Sequence, residues 1–128
     1  MQITRTLGVL AFASLATFSG DDRADQSSCE SLDMQAIKLA GKNRLEEAAE
    51  VYDRAIAQCA PDASRLTSRG VLAAALGDKS KAEQFINRAI ELAEKQGNIC
   101  RSDMSRAELS VIRGGPQAKA VPESCKSK

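Results

Sequence analysis

The chain has no histidine and no tryptophan, and its 128 residues include only one Tyr, three Phe and three Pro. Each shortage excludes something. Without His there is no imidazole to act as a base beside a Ser or Cys, so nucleophilic catalysis has no candidate pair. The acidic residues stand mostly beside Lys or Arg on polar helix faces. Glu46-Glu47 fits a helix N-terminus answering its dipole better than an acid/base pair. "RGGPQAKA", from Arg113, has Gly-Gly but lacks the Lys-Ser/Thr of a phosphate loop, and reads as a helix stop. There is no C-x-x-C pair, and the four cysteines are 30, 41 and 25 residues apart, which suits zinc poorly. No catalytic residue, cofactor or metal is therefore expected, and the chain does not read as an enzyme. A charge excess is missing as well: 18 basic residues face 17 acidic ones, so there is no electrostatic case for nucleic acid or an anionic membrane. With so few aromatics, Ala and Leu must fill the core. Both favour helix, as do the Glu, Lys, Arg and Gln around them, and an all-α protein is expected.

A long apolar run is also absent, but a short one is present. "MQITR" carries one positive charge, "TLGVLAFASLATFSG" runs uncharged from Thr6 to Gly20, and "DDRADQSS" follows. A basic start, a short apolar stretch and small residues near its end describe a secretory signal peptide over residues 1–20. The run is shorter than the roughly 20 apolar residues of a membrane-spanning helix, an uncleaved anchor being the alternative. Ser14-Leu15-Ala16 and Thr17-Phe18-Ser19 both offer small residues at the required positions, giving a mature start between about residues 17 and 25. No Cys directly follows the run, which argues against a lipoprotein. Residues 21–27 read as a flexible leader.

Ser27-Ser28-Cys29-Glu30 fits the S-x-x-E capping box and predicts a helix start. Its apolar side is Leu32, Ala36, Ile37, Leu39 and Ala40, and Gly41 is its expected stop. Asn43 is the expected N-cap of a second helix, with Leu45, Ala48, Ala49, Tyr52, Ala55 and Ile56 on one stripe. Glu50 and Arg54 would pair on its outside. Pro61-Asp62 ends it and opens a third helix, "ASRLTSRGVLAAAL". Gly77-Asp78 is a turn with a cap. A fourth helix, "KSKAEQFINRAIELAEK", buries Ala82, Phe85, Ile86, Ala89, Ile90 and Ala93, with Glu91 and Lys95 paired outside. Gly97-Asn98 breaks the chain before a fifth helix at about 99–113, whose apolar side is Met104, Ala107, Val111 and Ile112. Gly114-Gly115-Pro116 stops it. The helical domain thus covers 28–113, and 114–128 is a tail of little periodicity. Connections this short force successive helices to run antiparallel.

That geometry selects among the three pairings four cysteines allow. Cys29 opens the first helix and Cys59 closes the second, and in an antiparallel hairpin those ends are neighbours. Cys100 opens the fifth helix, and the Gly-Gly-Pro turn lets the tail fold back to bring Cys125 to it. Cys29–Cys59 and Cys100–Cys125 are the expected disulfides, each worth roughly 3 kcal/mol in the chain-entropy model. An even cysteine number behind an export signal points to a periplasmic or extracellular location.

"LEEAAEVYDRAIAQCAP", from Leu45, returns 34 residues later as "KSKAEQFINRAIELAEK". Ala48 aligns with Ala82, Tyr52 with Ile86, Arg54 with Arg88, Ala55 with Ala89 and Ile56 with Ile90. Ala36 aligns with Gly70, and Asn43 with Gly77. A helix-turn-helix unit of this period resembles the tetratricopeptide repeat, with two copies over residues 29–96. The likeness lacks the family's Trp. Ala36 replaces its Gly in the first unit, Pro61 is one residue late, and the second unit has no closing Pro. The resemblance implies a short α-solenoid of two hairpins with the fifth helix as cap. It also implies packing roles: Ala48 and Ala82 let the helices of a unit approach, Ala55 and Ala89 admit the next unit, and Gly70 removes a Cβ from a close contact.

The resemblance further implies a protein-binding scaffold or adaptor whose first helices line a concave groove. The register places Asp33, Ile37, Thr67, Val71, Arg101 and Ser105 on that face, if the fifth helix keeps it. The Lys and Asn with which some family members clamp a peptide's terminal carboxylate are missing, so a short amphipathic segment suits better. The other readings are a secreted, disulfide-stapled structural or effector protein with no groove ligand, and a small subunit that regulates an enzyme.

Overall fold

The computed structural model describes residues 26–117 and 120–126. The expected signal segment lies outside the described residues, as does most of the leader. Among the described residues five helices follow one another: α1 (Gln26–Gly41), α2 (Leu45–Gln58), α3 (Ala63–Ala75), α4 (Lys79–Lys95) and α5 (Ile99–Ile112). A 3-10 turn, Glu123–Cys125, lies in the tail. The fold is all-α, with no strand among the described residues.

Local chemistry explains the boundaries. Asp62, Asp78 and Asn98 are N-caps whose side chains accept from Arg65 N, Lys81 N and Arg101 N. At the other ends the same motif recurs. Asn43 N–H bonds to Ala40 O and Arg44 N–H to Leu39 O; Gly77 and Asp78 do the same to Ala74 and Ala73. Gly97–Asn98 and Gly114–Gly115 close α4 and α5 in this way too. These are Schellman closures, each turning on one residue of positive φ. Asn43 (φ 61°) is that residue for α1, so it ends one helix rather than capping the next. Arg44 occupies the N-cap of α2 without a side-chain cap bond. Gly41, the expected stop, is still helical. α1 is likewise already formed at Gln26, so Ser27 lies inside it.

Each helix packs on its neighbours in sequence, and α5 also reaches α3. Small residues fill the helix contacts: Ala36, Ala48, Ala55, Ala82 and Ala89 have no exposed surface. Tyr52 and Ile86 are buried beside them. A Cβ on Gly70 would lie 2.6 Å from Ile86 Cγ1 and 3.0 Å from the Ala82 carbonyl oxygen. Only a glycine admits α4 at this distance. Ala63, Leu66, Ala89 and Ala93 form a second cluster, and Ile86, Ile90 and Leu109 a third that holds α5.

α5 departs from its expected face. It buries Ser102, Ser105 and Leu109, while Met104 is exposed. The N-caps Asp62 and Asn98 are 36 residues apart, whereas Arg44 and Asp78 are 34 apart. α4 has 17 residues against 14 for α2. The longer fourth helix delays the fifth, and the 34-residue register is lost there. The expected outer pairs Glu50–Arg54 and Glu91–Lys95 do not form ion pairs; all four side chains are exposed, where such pairs gain little.

Both disulfides join the expected partners, with Cα–Cα distances of 6.1 Å for Cys29–Cys59 and 4.7 Å for Cys100–Cys125. The second folds the tail back on α5, where Ser124 Oγ also donates to Asp103 Oδ2 at 2.7 Å. No described helix is long and apolar enough to cross a membrane.

Candidate functional site

A groove of about 350 Å³ opens between α1, α3 and α5, with Tyr52 of α2 in its lining. Its apolar lining includes Ala40 and Leu72 and three exposed side chains: Ile37 (54% exposed), Val71 (39%) and Met104 (39%). Ser64, Ser68 and Thr67 add hydroxyls, and Arg101 and Glu108 bring charge from α5. A smaller hollow continues it past Tyr52 toward Asp33 and Arg65.

Of the six residues expected on this face, Ile37, Thr67, Val71 and Arg101 line the groove together. Asp33 lines the adjoining hollow, where its carboxylate is engaged. Arg65 Nε and Nη2 donate to the two Asp33 oxygens at 2.8 and 2.9 Å, and Nη1 donates to Ala60 O at 3.3 Å. Arg65 is 7% exposed, so this fork ties α3 to α1 from inside. The hydrogen bond it donates to Asp33 pushes the Arg65 guanidinium pKa up, against burial.

Ser105 is not in the groove. It has no exposed surface and bonds Thr67 at 2.8 Å in the α3–α5 contact. Thr67 Oγ1 already donates to Ala63 O at 2.9 Å, so Ser105 is the donor to Thr67. The slip of α5 turns Ser105 inward and brings Met104 and Glu108 to the groove in its place.

Tyr52 forms part of the wall. Burial pushes its phenol pKa above the ordinary value, while a hydrogen bond with Ser68 works the other way. Behind this face Arg69, 6% exposed, donates to Asp53 Oδ1 at 2.8 Å and stacks over Phe85, 4.9 Å from the ring centroid. Its Nη1 has no hydrogen-bond partner among the described residues, and the guanidinium as a whole gains from the Phe85 ring beneath it.

Sequence patterning missed Arg65, Arg69, Met104 and Glu108. A signal existed for the arginines. Arg65, Arg69 and Leu72 fall on one stripe of α3, and a cation on a buried stripe needs an anion from another helix. Among the described residues no His, Cys, Asp or Glu cluster could hold a metal, and every cysteine is in a disulfide. No family model, no curated protein and no solved structure matches the chain. The groove's own chemistry therefore carries the functional argument.

Proposed function

We propose that this protein is an exported, tetratricopeptide-like scaffold that binds a short amphipathic segment of a protein partner in the α1/α3/α5 groove. The observation that carries this reading is the set Ile37, Val71 and Met104, three aliphatic side chains left exposed within one concavity. Exposed apolar surface gathered in a groove is the usual mark of a binding site. Support for the repeat reading comes from the 34-residue return of the helix ends, Asn43 to Gly77 and Arg44 to Asp78, and from the matched alanines without exposed surface. Support for export comes from the two disulfides, which persist in oxidising compartments.

The test is capture of a specific partner from the envelope or secreted fraction of the producing cell, repeated with Ile37→Asp plus Val71→Asp. The double change should abolish capture while far-UV circular dichroism stays unchanged. Binding that survives it places the site elsewhere. If no specific partner is captured and the protein is a stable monomer, the other reading gains: a disulfide-stapled structural or effector protein with nothing in its groove.

A further inference from the structure

Arg101 and Glu108 differ from the other charges of α5 and its C-cap. Arg106 is paired with Glu94 and, at 3.3 Å, with Asp103, and Arg113 with Glu83 at 3.2 Å. Arg101 and Glu108 both line the groove, and among the described residues neither side chain has an ion-pair or hydrogen-bond partner. They are seven residues apart, so they share one face of α5 about 10.5 Å apart along the axis. Met104 lies between them on that face, half exposed.

This row is its own complement. Turn a second α5 antiparallel against the first, with the two-fold axis between residues 104 and 105. Arg101 of one copy then faces Glu108 of the other, at both ends, and the two Met104 side chains meet near the axis. An isologous contact requires this reciprocity. We infer that the groove's occupant is a second copy of this chain, the two copies clasping through Arg101, Met104 and Glu108. The inference rests on the groove reading above and names its partner.

Two further features favour a second copy. Net charge is +1, so two copies approach without the long-range repulsion a charged protein meets. The tail, held by Cys100–Cys125 and by Ser124 on Asp103, covers the neighbouring side of α5 and leaves the groove side open. Arg and Met are also residue types enriched at interface centres. Val71 and Ile37, exposed beside the row, offer the apolar surface the incoming Met104 needs.

The experiment is sedimentation equilibrium of the oxidised protein, purified as its host processes it, over a range of concentrations. Variants Arg101→Glu, Glu108→Arg and the double exchange are run beside it, with circular dichroism as the folding control. The wild type should dimerise, more weakly as salt rises. Each single change sets like charges together at both ends and should raise the dissociation constant at least about tenfold. The double exchange should restore the dimer. Mixing the two single variants should also restore it, now as a heterodimer with one chain of each, a result a merely damaged fold cannot give. A wild type that stays monomeric at high concentration overturns the inference, while capture of a different partner sensitive to Ile37→Asp and Val71→Asp would still uphold the groove. A dimer indifferent to all the changes, or one that neither the double exchange nor mixing rescues, also overturns it.

Discussion

In the first hairpin Ala36, Ala48 and Tyr52 share a core cluster, and Cys29–Cys59 ties its open end. In the second hairpin Gly70 takes the place of Ala36, Ile86 the place of Tyr52, and no covalent bond joins α3 to α4. There α4 comes so near that even a methyl at 70 would meet Ile86 Cγ1 at 2.6 Å. One helical hairpin is thus closed by a bond and the next by close packing. α1 has an outer side that no preceding helix covers among the described residues, whereas α3 is flanked by α2, α4 and α5. A covalent tie is most useful where fewer neighbours restrain the helix.

The largest effect should come from cutting that tie. Cys29→Ser with Cys59→Ser should cost about 3 kcal/mol in chemical denaturation, from the lost constraint on a 30-residue separation. Hydrogen exchange should rise in α1 and α2 well before α3 and α4. Equal loosening of both hairpins would remove the contrast between them.

The matching insult to the second hairpin is Gly70→Ala. Overpacking costs about 1–3 kcal/mol, and the better helix propensity of Ala returns up to about 1. Ile86 has no exposed surface and the Ala82 carbonyl oxygen is also only 3.0 Å from the added methyl, so a net loss of about 1–2 kcal/mol is expected from the unfolding midpoint. The reverse change, Ala36→Gly, should also destabilise, through propensity and a small void. A stabilising Gly70→Ala would contradict the close approach.

A smaller effect separates the two turns. Asn43 holds φ 61° where Gly77 holds φ 90° in the equivalent closure. Asn43→Gly should stabilise by up to about 1 kcal/mol and Gly77→Asn should destabilise by a similar amount, as thermal melts would register.

The subtlest difference is the ring that replaces Ile86 in the first hairpin. Tyr52 is the chain's one tyrosine and there is no tryptophan, so phenolate absorbance reports it alone. Burial raises its folded-state pKa above the model-compound 10.0. Stability from the neutral phenol is complete below pH 10 and is lost as pH rises through the folded value. The native protein should titrate later than the same protein in denaturant; coincident titrations would mean an exposed ring.

Much of this was legible in the sequence, and the exceptions have physical causes. The stripes of the first four helices, the cap at Asp78 and the disulfide pairing follow from local spacing and from antiparallel neighbours, so they could be read directly. Asn43 was ambiguous because Asn serves both as an N-cap and as a left-handed helix stop, and only the backbone chooses. Gly41 is the last residue of α1, as expected, but the left-handed turn that closes the helix falls two residues on, at Asn43. The face of α5 was misplaced because three extra residues in α4 shifted its start, and Ser102 and Ser105 hide a buried face behind polar names. Arg65–Asp33 and Arg69–Asp53 span 32 and 16 residues, beyond the reach of any helical period. The groove was half legible: Ile37, Thr67, Val71 and Arg101 follow from the repeat, while Met104 and Glu108 depend on the slip.

The claim that the groove is where this protein meets its partner can be tested by photo-crosslinking in the producing cell. A photoreactive residue is placed at Ile37, inside the groove, and in a second strain at Glu91, exposed on α4 away from it. The account predicts one discrete adduct from position 37, to a second copy of the chain or to a single other protein, and none from position 91. Adducts from position 91 alone, or the same set from both positions, would contradict it.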